Sequence, residues 1–110
     1  MNLTTRLAAS LLMLLTAPLA AAQGDIEKGR NLAYTCTGCH GIEGYKNIYP
    51  HYSVPKIGGQ NAEYLIAALT AYQKGERAHP TMRAQAESFS AEDIQHIAAY
   101  LASVGKETNK

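Results

Sequence analysis

The five residues Cys36, Thr37, Gly38, Cys39 and His40 constrain this chain more than any other stretch. Two thiols two residues apart, with an imidazole following at once, are what covalent haem attachment requires. Each thiol adds across one vinyl group, so two thioethers form along one edge of the porphyrin. The next side chain, His40, is then placed to bind the iron axially. Two other chemistries use paired cysteines. A structural zinc site wants four ligands at matching spacings, yet the chain has 2 cysteines in all. A thiol–disulfide catalyst carries its pair after a strand in a βαβ frame, whereas this pair closes a helical stretch. The pentad therefore predicts one covalently bound haem c with its iron, Cys36 and Cys39 being the attachment points and His40 a metal ligand.

The first residues read separately from that domain. Met1 to Arg6 carries one positive charge and no acid, Leu7 to Leu15 is almost wholly apolar, Pro18 breaks a helix, and Ala20 to Ala22 are small. That order is a secretory signal peptide. It places cleavage after Ala22, making 1–22 a leader and 23–110 one domain. The apolar run is shorter than the roughly 20 residues that span a bilayer, which predicts a periplasmic protein with no stable membrane insertion. The whole chain has 10 Lys and Arg against 9 Asp and Glu, and loss of Arg6 leaves the two in balance. Near-neutrality argues against a nucleic-acid partner, which calls for a strong basic excess, and predicts modest electrostatic steering towards redox partners. A domain this small needs a staple beyond its own core. With 1 Phe and 0 Trp, a buried porphyrin supplies apolar surface that the side chains lack.

Helical periodicity runs through most of the remainder. Asp25 caps a first helix reaching to about Cys36, with Ile26, Gly29 and Ala33 on one face. A glycine inside a helix costs about 1 kcal/mol relative to alanine, so Gly29 marks either the close approach of another helix or a frayed end. From Gly41 to Gly59 the pattern is lost. Tyr45, Tyr49 and Tyr52 make that stretch too aromatic for a linker, and a loop of such length in a small domain usually has a function. Lining a haem pocket and bonding its propionates suits phenols. Asn61 caps a second helix running to Lys74, with Tyr64, Leu65, Ala68, Leu69 and Tyr72 on its apolar face and Gly75 ending it. Glu76 to Phe89 reads as irregular chain broken by Pro80, with a short helix over 83–87. Ser90 and Asp93 open the last helix as a capping box. Ile94, Ile97, Ala98, Leu101 and Val104 form its stripe, and Gly105 ends it. No stretch alternates with period two, so the fold class is all-α with three main helices.

An iron that carries electrons reorganises little when it keeps two strong axial ligands. Methionine sulfur favours the ferrous state and raises the potential. Met82 is the one methionine outside the leader, and it follows Pro80 among polar neighbours, His79, Thr81 and Arg83. That setting favours a metal ligand over the gap-filling role methionine has in cores. His51 and His79, in loops, are the rival ligands. His96 lies off the stripe of the last helix and is expected to be solvated.

Beyond the pentad, an ordered set of residues resembles class I cytochromes c. It comprises Asp25 to Gly29, then Val54, Pro55, Ile57, Gly59 and Gln60, then Tyr64, Leu65, Leu69, Tyr72, Gly75, Arg77 and Met82. It ends with Ser90, Asp93, Ile94, Ala99, Tyr100 and Leu101. The likeness covers essentially all of 23–110 and is strongest to the bacterial cytochrome c4, c5 and c553 groups. It implies the cytochrome c fold wrapped around one haem, with the first and last helices crossing and Gly29 at the crossing. It also implies that the carbonyl of Pro55 orients His40 through its Nδ1–H. The departures are a single pentad, where cytochrome c4 has two domains, and the lack of a tryptophan for a propionate, a place that Tyr45, Tyr49 or Tyr52 can take.

The implied function is a periplasmic monohaem carrier of single electrons between respiratory or dehydrogenase partners, met transiently, and not an enzyme. The alternative is an electron-transfer subunit of a larger oxidase or dehydrogenase complex. A haem peroxidase or a gas-binding sensor fits less well, because each needs an open iron position that Met82 fills.

Overall fold

A computed structural model describes residues 24–44 and 54–106. The expected leader over 1–22, the tyrosines Tyr45, Tyr49 and Tyr52, and His51 lie outside the described residues. The described chain forms five helices and, among these residues, no strand: α1 Ile26–Leu32, α2 Tyr34–His40, α3 Ala62–Lys74, α4 Pro80–Glu87 and α5 Ala91–Ser103. The all-α class holds, but two expectations about the helices change.

The first helix is two. Asp25 caps α1 as expected, its carboxylate accepting from the Lys28 N–H at 3.0 Å. The axis then breaks at Ala33, where ψ is 1°. The carbonyl of Ala33 accepts from the Cys36 N–H at 2.9 Å and also from the Thr37 hydroxyl at 3.4 Å. A threonine bonded back to the carbonyl four residues earlier bends a helix. The pentad therefore sits on its own short helix, α2, which ends at Gly41 in the left-handed region, φ 59°.

The second change is α4. Pro80 does not break this stretch; it begins a helix. Proline fits the first helical position because that N–H has no partner inside a helix anyway. The cap is His79, whose Nδ1 accepts from the Met82 N–H at 3.2 Å. Met82 thus lies in the first turn of a helix and not in an irregular loop. The far end of α4 is tied to α3 by Gln73, whose side-chain amide donates to the carbonyls of Ala86 at 2.8 Å and Phe89 at 2.7 Å.

α5 is the centre of the packing, contacted by α1 on one side and α3 on the other, while α4 packs on α3. Its capping box is present in both directions, Ser90 to Asp93 and back. Burial between two helices widens its apolar stripe: Ile94, Ile97, Ala98 and Leu101 are joined by Tyr100 in the core. Ala33, Ile42 and Leu65 form one cluster with Ile97, Ala98, Tyr100 and Leu101. Ile26, placed on the buried face of α1 by its spacing, is instead 44 % exposed.

Gly29 marks a close approach and not a frayed end. A Cβ there would run into the His96 carbonyl and stand 2.8 Å from Cβ of Tyr100, so α1 lies directly on the backbone of α5. The same crossing corrects the expectation for His96. Its side chain is 13 % exposed, and its Nδ1 accepts the Asp25 N–H at 2.8 Å. The start of α1 covers the imidazole, which the helical stripe of α5 alone does not reveal.

Candidate haem-binding site

Cys36, Cys39 and His40 stand at positions i, i+3 and i+4 of α2, and residues so spaced share one helix face. Both cysteines are half-buried thiols, and Cys36 packs against the hydrophobic core. Burial pushes the Cys36 thiol above its ordinary value, although a hydrogen bond with Thr35 acts in the other direction. Redox-active CxxC pairs work with a lowered thiol, so Cys36 is set up as a neutral apolar group and not as an attacking thiolate.

His40 is the one buried polar side chain in the described core, 7 % exposed. Its Nδ1 lies 2.7 Å from the carbonyl oxygen of Pro55. A carbonyl oxygen only accepts, so Nδ1 carries a proton, and in the neutral ring Nε2 keeps its lone pair. An imidazole in this tautomer, oriented by a carbonyl behind it, is a prepared metal ligand.

The geometry depends on how 54–60 is held. Val54 is buried and Ile57 packs against the core. Gly58 runs so close to α5 and the turn after α2 that a Cβ would stand 2.7 Å from the Ile42 carbonyl and 3.1 Å from Cγ1 of Val104. Gly59, at φ 81°, donates its N–H to the Leu101 carbonyl at 2.7 Å. The two glycines thus pin the segment to the end of α5 and aim the Pro55 carbonyl at His40.

Met82 is half-buried on α4. Among the described helices, α2 packs only on α1, and α4 only on α3. The structure therefore brings Cys36, Cys39, His40 and Pro55 together and carries Met82 on a separate helix pair. Among the described residues, no three His, Cys, Asp or Glu side chains gather into an all-protein metal site. Two thiols and an imidazole lone pair on one half-buried face fit a haem instead. The cap His79 escaped notice in the sequence because imidazole is not among the usual capping groups.

Comparison with known proteins shows which family the chain belongs to. The cytochrome c family profile matches residues 26–105. The chain is 39 % identical over 83 residues to cytochrome c-554(548) of Halomonas halodenitrificans, covering 73 % of this chain and 96 % of that protein. It is 29 % identical over 92 residues to the cytochrome subunit of sulfide dehydrogenase of Chlorobaculum tepidum, covering 84 % and 76 %. Against cytochrome c4 of Pseudomonas aeruginosa it is 35 % identical over 85 residues, covering 77 % of this chain and 41 % of the longer protein. The chain belongs to the cytochrome c family, electron carriers whose cofactor is a covalently attached haem c.

Proposed function

We propose that this chain is a periplasmic monohaem electron carrier in which His40 and Met82 ligate the iron and Cys36 and Cys39 form the thioethers. The leader 1–22 is removed after export, and 23–110 is the working domain. The haem iron, when bound, supplies a one-electron couple between ferrous and ferric states. Everything else falls to the side chains. Cys36 and Cys39 would hold the porphyrin covalently, each giving its sulfur to one vinyl group and its S–H hydrogen to the neighbouring carbon. His40 offers its Nε2 lone pair, and Pro55 holds the Nδ1 proton, which raises the donor strength of the ring. Met82 offers a soft thioether that favours the ferrous state. A fixed ligand pair keeps reorganisation small, which suits transfer of single electrons and leaves no open position for enzymatic chemistry.

The observation that carries this reading is the buried His40, fixed by Pro55 in the tautomer that leaves Nε2 for a metal. Redox titration of the exported protein is the test. One reversible one-electron wave, with haem lost under denaturing conditions from a Cys36→Ser, Cys39→Ser double variant but not from wild type, is expected. Carbon monoxide binding to the reduced native protein at neutral pH would point to a five-coordinate iron and contradict it.

A second reading is favoured by one similarity. The Chlorobaculum relative is the cytochrome subunit of a sulfide dehydrogenase, and this chain in the same role would copurify with a catalytic subunit from its native source. Purification as a lone small protein supports the free, transient carrier.

A further inference from the structure

We propose that Arg77, Tyr72 and His79 act together as positioning residues for Met82, locking the first turn of α4 in the conformation that offers the sulfur to iron. The inference rests on Met82 being an iron ligand and adds how this chain holds it.

Four contacts run in series from α3 to Met82. Tyr64 and Tyr72 are eight residues apart on α3, two turns along one side of the helix. Gly75 ends α3 in the left-handed region, φ 73°, and turns the chain back, with the N–H groups of Glu76 and Arg77 both donating to the Ala71 carbonyl. That reversal lays Arg77 back along α3. Its guanidinium stands 4.8 Å from the centre of the Tyr72 ring and donates to the Tyr64 hydroxyl at 3.3 Å. Tyr72 in turn meets His79 edge-on, ring centres 6.2 Å apart and planes at 77°. His79 accepts the Met82 N–H on Nδ1.

The order of the contacts matters because His79 is a capping residue with two ring faces and two possible flips. Rotation of the imidazole by half a turn replaces Nδ1 with a carbon and removes the cap. Packing against Tyr72 opposes that rotation, and Arg77 fixes Tyr72 by charge over its face. Each exposed contact is weak alone; in series they hold a turn that, among the described helices, only α3 supports. The hydrogen bond to Tyr64 holds the Arg77 guanidinium above its ordinary value, so the cation persists throughout.

The test uses the oxidised holoprotein at neutral pH. Two readouts are taken: the far-red methionine-to-iron absorption band, and the rate at which added imidazole displaces the native ligand. Arg77→Ala, Tyr72→Leu and His79→Ala should each admit imidazole roughly fivefold faster, the size of a lost helix cap. Arg77→Lys, Tyr72→Phe and His79→Asn keep the cation, the ring and the cap, and should restore the wild-type rate. Glu87→Ala removes an ion pair at the far end of the same helix while leaving every residue of the series in place, and should leave the rate unchanged. Amide exchange at Met82 gives a second measure, expected to quicken in Arg77→Ala. A wild-type band with no acceleration in the three disruptive variants, or an equal acceleration in Glu87→Ala, overturns the positioning role alone. Absence of the band from wild type overturns the methionine ligation itself, and this inference with it.

Discussion

The Nδ1 of His40 and the carbonyl oxygen of Pro55 are 2.7 Å apart across 15 residues of chain. The contact decides which nitrogen of a buried imidazole carries a proton, and so what His40 can bind. It also links ligand strength to a backbone segment, 54–60, that Val54 and Ile57 anchor in the core and Gly58 and Gly59 hold against the end of α5.

That linkage makes the potential sensitive to Gly58. A Cβ there meets the Ile42 carbonyl at 2.7 Å, so Gly58→Ala should push the segment outward and lengthen the His40–Pro55 bond. A weaker bond leaves a poorer imidazole donor, and the midpoint potential should rise by tens of millivolts, about 59 mV for each tenfold change in relative affinity for the two oxidation states. Voltammetry of the variant checks this; an unchanged potential would show that the segment yields elsewhere.

Gly29→Ala tests the helix crossing. Its methyl group has no room against the His96 carbonyl and Tyr100, so α1 must lift from α5. Overpacking of this kind costs about 1–3 kcal/mol, and occasionally more. Denaturant unfolding should show a lower midpoint, with wild-type stability in the variant speaking against a tight crossing.

His96→Leu tests the other side of the same crossing. It removes the acceptor of the Asp25 N–H and should cost about 1 kcal/mol, the net value of a typical hydrogen bond. Amide exchange should be faster at the start of α1, with α3 unaffected.

Two capping carboxylates set the acid limb of stability. The Lys28 N–H holds Asp25 below its ordinary 3.8, and the Ser90 N–H does the same for Asp93. Each has a lower value folded than unfolded, so the unfolded chain binds more protons as pH falls. Their stabilisation is fully present above pH 3.8 and is lost as the pH drops through the lowered folded values. Unfolding free energy measured against pH should therefore fall in acid less steeply in an Asp25→Ala, Asp93→Ala double variant than in wild type. At neutral pH, Ser90→Ala should separately cost about 1 kcal/mol as a lost cap.

Features set by neighbouring residues were legible in the sequence. Ser90 with Asp93, Asn61 with Gly75, and the stripe of α5 each follow from contacts within a turn or two. The pentad was legible for the same reason, since three donors on one short helix are close in sequence as well as in space. What escaped was set by distant chain. His96 looks solvated on its own helix, and only α1, 71 residues away at Asp25, covers it. The bend at Ala33 comes with the Thr37 hydroxyl turned back to its carbonyl, a contact no sequence pattern displays. Pro80 reads equally as a helix breaker and as a helix start, and the deciding cap, His79, is an unusual one.

The central claim is that His40 and Met82 would be the two protein ligands of one haem iron. Far-red absorption and magnetic circular dichroism of the oxidised protein, compared between wild type and Met82→Ala, test it most directly. The methionine-to-iron band should be present in wild type and absent from the variant, with a lower midpoint potential when Met82 is gone. A wild-type protein without the band, or a band that survives in Met82→Ala, contradicts the assignment.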